Sequence, residues 1–396
     1  FMLLQDRLIN TERASLFIAL LALVASLAGV FTLPVLDRDE ARFAKASAQM
    51  VETGDFIDIR FQDQPRYLQP AGIYWLQSIT AGLTGAGDAR AIGGFRIPSF
   101  LAMLATIAMT MALTSHAFGR RAGVVAALLL ATSFAISFEA RIAKTDAALL
   151  ASITAAHFAL MRIYLQPAGS WWRPALFWAA LGAGVMIKGP IIGLFIGLTL
   201  LALALWDRKL AWMRALKPLW GLPLFLAIAL PWYIAIGIHS DGQFYMDAVG
   251  QNLLGKVGES QQSHAGPPGY YAGVFTAMFW PASLFVVMAG YWAWTQRREA
   301  AVRYLIAWAV PGWLVYELIA TKLPHYVMPT YPALACLAAA AALAPRQTAP
   351  IWVRIAAAIY LVFWLAASAL MAGLGAALMA WSEGVFSPVL IAVGII

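Results

Sequence analysis

Apolar runs of about 20 residues recur from Ser15 to the end of the chain, and each is long enough to cross a hydrocarbon core of ~30 Å as a helix. Lipid offers no partner to a free peptide group, so a chain built of such runs is obliged to form helices that satisfy their own backbones. About eleven spans are expected, near 14–36, 95–118, 122–138, 146–165, 172–187, 189–206, 219–238, 272–295, 303–320, 326–344 and 351–381. Apolar types make up 62% of the 396 residues and charged types 12%, a ratio that excludes a water-soluble globular fold. The expected class is an all-α polytopic membrane protein, one domain over 1–396, with interfacial amphipathic helices in its first outer loop. The first span reads as a retained anchor, because no small-residue cleavage site separates it from a polar mature domain. Cys336 lies alone inside an apolar run and reads as packing.

Orientation follows from the basic residues. With the N-terminus in the cytoplasm, fifteen of the 27 Lys and Arg fall on the inner side, in short linkers that hold only Asp6, Glu12, Asp207 and Glu299 as counter-charges. Seven of the twelve outer cations lie in one long segment, 37–96, where they count for less. The net charge of +8 is therefore an orientation signal, and no nucleic-acid partner is implied. The expected location is a bacterial inner membrane, with the working face toward the periplasm.

Two outer segments, 37–94 and 239–271, are too long to be plain connections, so the chemistry is expected there. In the first, Asp37 followed by Glu40 has the form of a capping box, Phe43, Met50 and Val51 share a face, and Gly54 ends the helix. A second apolar piece, 71–83, is too short to cross. The Gly/Ser/Gln stretch 255–269 in the second segment, with His264, is expected to act as a mobile lid.

Ionisable residues concentrate at four outer span ends: Asp39-Glu40-Ala-Arg42, Arg141-Ile-Ala-Lys144-Thr-Asp146, Lys188-Gly-Pro190 and Lys322-Leu-Pro-His325-Tyr326. Charges beside apolar spans are kept for pairing, anchoring or a ligand; snorkelling at the interface is the plain alternative. Lys188 stands out because Gly189-Pro190 breaks the helix beside it, which snorkelling does not require. Asp39 precedes Arg42 by three residues and so shares a helical face with it. For Asp146 the rival is simple capping by Thr145. His157 is mid-span and reads as packing. There is no Walker loop, no Gly-rich turn after a strand, no metal-spaced Cys/His set and no serine elbow, so nucleotide-driven chemistry has no support.

The order of these motifs resembles the GT-C class of polyprenyl-phosphate-dependent glycosyltransferases, in the branch that holds protein O-mannosyltransferases and the lipid A aminoarabinose transferase. Asp39-Glu-Ala-Arg42-Phe-Ala resembles the family's Asp-Glu-x-Arg-Tyr-Ala, and Gly54-Asp-Phe-Ile its Gly-Asp-Trp segment. Pro70-Ala-Gly-Ile-Tyr-Trp75 resembles Lys-Pro-x-x-x-Tyr-Trp, and Lys144-Thr-Asp146 the second acidic loop. Lys188-Gly, Gln262-Ser-His264 with Tyr270-Tyr271, and Lys322-Leu-Pro-His-Tyr326-Val-Met-Pro329 each have counterparts in the same order. One departure is clear. Where the family usually has Glu-Lys or Asp-Lys before the proline, this chain has Leu68-Gln69. No cofactor is assigned, the missing carboxylate counts against a divalent metal, and the metal ligands stay unknown.

The resemblance implies an inverting transfer of a sugar from a polyprenyl-phosphate carrier to a lipid (lipid A or another glycolipid) or protein acceptor. As the glycosidic bond breaks, the carrier phosphate passes from monoanionic diester toward dianionic monoester, so fixed cations stabilise the transition state more than the ground state. Asp39, Asp146 and Glu40 are the expected catalytic residues, with Asp39 taking the acceptor proton. Arg42, Lys188, Lys322, Tyr326, His264 and Tyr67 are expected to bind phosphate or sugar. A transporter or flippase of lipid-linked substrates is the main rival; it calls for charges near the midplane on broken helices, whereas here they gather on one face.

Overall fold

The computed structural model describes residue 27 and residues 29–85, 91–248, 250, 266–345 and 348–383. Its regular structure is helical apart from one short antiparallel pair among the described residues, Arg60–Phe61 (β1) against Gln64–Pro65 (β2).

The 37–94 segment opens with α1, Arg38–Thr53. Asp37 caps it through the N–H of Asp39 at 2.8 Å, and Gly54, at φ 71°, closes it in the left-handed region that glycine adopts freely. Phe43 and Met50 are buried as expected. Val51 is exposed instead, because it lies about 100° round the helix from Met50. Beneath α1 lies α2, Gly72–Thr84, too short to cross. Ser47 donates to Gln77 at 2.7 Å, and Ser78 to the Ser47 carbonyl at 2.9 Å.

The membrane bundle follows. Among the described residues its α-helices of six residues or more are α3 (Gly93–Phe118), α4 (Arg120–Ala131), the short α5 (Phe134–Glu139), α6 (Asp146–Leu165), α7 (Trp172–Lys188), α8 (Ile191–Asp207), α9 (Pro218–His239), α10 (Tyr270–Met278), α11 (Val286–Thr295), α12 (Ala300–Leu318), α13 (Tyr331–Leu343) and α14 (Ile351–Glu383). Four of them, α3, α6, α9 and α14, are long and apolar enough to cross a membrane unaided. Shorter pieces make up the rest, and two expected spans are broken. The run 122–138 stops at Thr132-Ser133, where Ser133 folds its hydroxyl back onto the Leu130 carbonyl at 2.8 Å; α4 alone rises only ~18 Å. The run 272–295 is interrupted at Pro281, which has no N–H to continue a ladder. The expected first span, 14–36, lies outside the described residues except at its end.

α6 occupies the centre, between α3 and α7; α7 also carries α9, and α8 packs on α12. The outward faces are as apolar as the core. On α9, Leu222, Leu226, Leu230, Ile234 and Ile238 form an exposed stripe at four-residue spacing, and the apolar window of α14 has no buried residue. Such a surface is stable against hydrocarbon and not against water. The chain is a membrane protein.

Candidate active site

The N-terminus of α1 is fixed by a buried ion pair. Arg96, near the start of α3, and Glu40 are both fully buried; the guanidinium meets the two carboxylate oxygens at 2.7 and 3.0 Å and donates to the Val30, Leu33 and Pro34 carbonyls at 3.1, 2.8 and 2.8 Å. Glu40 also accepts the N–H groups of Leu36 at 2.9 Å and Ala143 at 3.0 Å. The expected capping box is thus not formed as drawn: the glutamate reaches Leu36 rather than Asp37, because Arg96 pulls it toward α3. With its oxygens fully engaged and no exposure, Glu40 holds architecture and has no face to offer a substrate.

Its neighbour Asp37 pairs with Lys144. Burial works against the Asp37 charge, but the bonds from Lys144 and from the Asp39 N–H outweigh it and hold the carboxyl below its usual range. Together Glu40–Ala143 and Asp37–Lys144 clamp the 140–145 loop to α1. That loop delivers Asp146, so the two acidic motifs, far apart in sequence, are joined by design of the first turn of α1.

Asp146 is the first residue of α6 and Lys188 the last of α7, where the helix dipoles favour an anion and a cation respectively. The two meet at 2.5 Å. Thr145 makes no side-chain cap, so the capping alternative for Asp146 is not realised. Gly189, at φ 65° and ψ −146°, lies in a region almost closed to other residues and turns the chain directly after Lys188. The Lys188 ammonium stands 5.9 Å from the ring centre of Tyr326. His325 completes the group, its Nε2 at 3.5 Å from Asp146 and its Nδ1 at 4.0 Å from Glu139 at the end of α5. Burial pulls His325 down to about 4, which leaves it neutral at pH 7.

Asp146, Lys188, His325 and Tyr326 line a cavity of about 180 Å³ whose remaining wall is largely apolar, including Leu149, Leu194, Phe195 and Ile319. A cluster of charge on the wall of a largely apolar cavity suits an amphiphile with an anionic head. Leu68 is shared with a second cavity, lined by Arg42, Arg66, Tyr67 and Asp247. Arg42 forms the expected pair with Asp39, at 3.3 Å and partly exposed; Asp39 itself is in the lining of neither cavity. Tyr67 donates to Asp58 at 2.8 Å, and burial, with that bond, pushes its hydroxyl up to about 12, so it remains a donor at neutral pH.

Other expected residues are placed differently. Lys322 is buried with its ammonium on the carbonyls of Tyr316, Glu317 and Ile319 at 3.2, 2.7 and 2.9 Å, closing the C-terminus of α12. It satisfies orphan carbonyls and does not line the cavity. His264 and most of the expected lid lie outside the described residues. His157 packs as expected, stacked on Trp308 with ring centres 3.8 Å apart and bonded to Tyr304 at 2.9 Å. Sequence reasoning gave no role to Glu139 or Arg96; each is a charge bordered by apolar residues, and that was the available signal.

Of the groups at the cavity able to hold a divalent metal, Asp146 is already paired with Lys188, and positions 68 and 69 supply no carboxylate. Leu68 has no ligand atom, and Gln69 Oε1, buried without a hydrogen-bond partner among the described residues, is a neutral amide. Asp55, Asp58 and His239 do gather elsewhere, their ligand atoms within 4.8 Å of one another. Asp58 already faces Arg60 at 3.1 Å and accepts from Tyr67.

Among the described residues the chain is a broken-helix bundle with the GT-C fold, shared with the solved structures named below. The sequence profile of the family described as dolichyl-phosphate-mannose-protein mannosyltransferase matches residues 68–234. Within the class, the chain is similar to the undecaprenyl phosphate-α-4-amino-4-deoxy-L-arabinose arabinosyl transferases: 26% identical over 306 residues to one from Pseudomonas fluorescens (76% of this chain, 54% of the relative) and 27% over 304 residues to that of Edwardsiella ictaluri (76% and 54%). The chain spans about half the length of these relatives. Among solved structures, ArnT from Cupriavidus metallidurans bound to undecaprenyl phosphate superposes with a TM-score of 0.77 at 21% identity, over 91% of this chain and 64% of that one. The archaeal oligosaccharyltransferase AglB from Archaeoglobus fulgidus, in complex with an inhibitory peptide and a dolichol-phosphate, gives 0.56 at 13% identity, over 89% and 54%.

Proposed function

We propose that this chain is an inverting glycosyltransferase that moves a sugar from a polyprenyl-phosphate carrier to an acceptor on the periplasmic face of a bacterial inner membrane. The observation that carries the reading is the Asp146–Lys188 pair on the wall of a largely apolar cavity. An isoprenoid tail fits the apolar wall, and its phosphate falls within reach of Lys188.

In this arrangement the phosphate competes with Asp146 for the Lys188 ammonium. As the bond between the anomeric carbon and the phosphate oxygen breaks, charge builds on that oxygen, and the ammonium, already desolvated and held at a helix terminus, stabilises it without reorganising. Tyr326 lines the same cavity. Arg42 adds a second cation across the Leu68 ridge, and Asp39, held by Arg42, takes the proton of the acceptor hydroxyl that attacks the opposite face of the sugar. Inversion follows from that single displacement. Similarity to the aminoarabinose transferases supports an aminosugar donor carried on undecaprenyl phosphate; other sugars, and a lipid or a protein as acceptor, are outcomes of the test. The 37–94 segment forms the acceptor side of the site, within one domain.

The test uses membranes supplied with undecaprenyl-phosphate-linked sugar. Asp39→Asn and Lys188→Ala should each lower transfer by at least ~10³-fold at unchanged expression. Full transfer by both variants contradicts the assignment, and carrier movement across the bilayer without transfer favours the transporter.

A further inference from the structure

The transfer chemistry above leaves Glu139 unused, although nothing about its placement is ordinary. It ends α5, a helix of six residues that is too short to cross a membrane, with 3% of its side chain exposed. Its Oε2 has no hydrogen-bond partner among the described residues, and its Oε1 faces His325 Nδ1 at 4.0 Å. The other imidazole nitrogen faces the Asp146 carboxylate at 3.5 Å. One imidazole therefore stands between two carboxyl groups. Asp146 lines the cavity, His325 lines it too, and Glu139 lies behind them.

The surrounding charges are Asp146, Lys144, Lys188 and Asp37. Lys144 is matched by Asp37 and Lys188 by Asp146, so neither ammonium is left to neutralise a second buried anion. A carboxylate without hydrogen bonds in such a place is costly, and protonation relieves the cost. Burial, reinforced by the Asp146 charge, accordingly raises Glu139 far above the usual carboxylate range. Burial likewise keeps His325 neutral. In the tautomer that carries its proton on Nε2, the nitrogen 3.5 Å from the Asp146 carboxylate, Nδ1 is the bare nitrogen and lies 4.0 Å from Glu139 Oε1.

Resting on the proposed transfer, we infer that Glu139 and His325 hold one proton in common, and that it passes from Glu139 to His325 Nδ1 as negative charge builds on the carrier phosphate. The step balances: Glu139 becomes a carboxylate, His325 an imidazolium, and no proton is exchanged with water. Its effect is to move one positive charge to the cavity wall as the phosphate goes from monoanion to dianion, with the compensating negative charge left behind at Glu139. A side-chain approach of about 1 Å brings the pair to hydrogen-bond length. Glu139 is thus a positioning residue that acts through His325.

The experiment uses the full chain in lipid nanodiscs with undecaprenyl phosphate as probe. Adding the probe at neutral pH should bleach one protonated-carboxyl band in the infrared difference spectrum, and Glu139→Gln should abolish that band at an unchanged melting temperature. In transfer assays Glu139→Gln should lower kcat by ~10- to 100-fold with KM for the donor nearly unchanged. It should also shift the alkaline limb of the pH profile toward acid by at least about two units, because His325 must then take its proton from bulk water. His325→Gln should give the same loss, and the double variant no more than either alone. A wild type that binds and transfers while showing no carboxyl band, or a Glu139→Gln enzyme with the wild-type pH profile, overturns the relay and leaves the transferase reading intact. Absence of both binding and transfer in the wild type removes that reading, and the relay with it.

Discussion

Glu40 and Asp39 are adjacent and chemically alike, yet the fold uses them in opposite ways. Asp39 remains half exposed beside Arg42, while Glu40 is sealed against Arg96. Truncating one partner of a sealed pair strands the other, which typically costs ~3–5 kcal/mol. Glu40→Gln and Arg96→Met should therefore lower the unfolding midpoint in detergent, whereas Asp39→Asn should leave it nearly unchanged. His325 gives a pH signature. Its folded value is depressed from 6.5 to about 4, so the stability tied to its neutral form is fully present above 6.5 and lost as pH falls toward 4, where the unfolded chain binds more protons. His325→Gln should flatten that acid-side loss between pH 6.5 and 4, read as melting temperature against pH. The Asp39–Arg42 pair was legible because three-residue spacing on a helix is a local rule. The Glu40–Arg96 and Glu139–His325 relations were not, since each joins segments that only the tertiary fold brings together.

At the scale of elements, position within the helix explains most of the site. Asp146 starts α6 and Lys188 ends α7, and both sit where the sequence signalled a terminus: Thr-Asp ahead of an apolar run, and Gly-Pro after one. The breaks inside 122–138 and 272–295 were hidden because an apolar window registers hydrophobicity and not continuity of the hydrogen-bond ladder. Two glycines are held by geometry. A Cβ on Gly72 would meet the Met186 carbonyl oxygen at 2.6 Å, so α2 is seated against the end of α7 only while this position is bare. Gly189 has a backbone that costs other residues about 1–3 kcal/mol. Gly189→Ala should weaken undecaprenyl phosphate binding by displacing Lys188; Gly72→Ala should lower melting temperature and binding together, as α2 and the Leu68–Pro70 wall move off α7.

Among the described residues, Asp146, Lys188, His325 and Tyr326 share the wall of a largely apolar cavity in a bundle whose surface is itself apolar, so both tail and head of a lipid-linked ligand find matching surroundings. Composition alone foretold the bundle, and motif order foretold its class; the cavity, with walls from the 68–70 turn, α6, α8, α9 and α12, required the assembled fold. The central claim is that Lys188 grips the phosphate of a polyprenyl carrier. Titration of the purified chain with undecaprenyl phosphate and with uncharged undecaprenol tests it most directly. Loss of a charge-assisted contact worth about 1.5–3 kcal/mol should weaken undecaprenyl phosphate binding to Lys188→Ala by ~10- to 150-fold and leave undecaprenol binding unchanged. Equal affinity of wild type and variant for the phosphate would contradict the account.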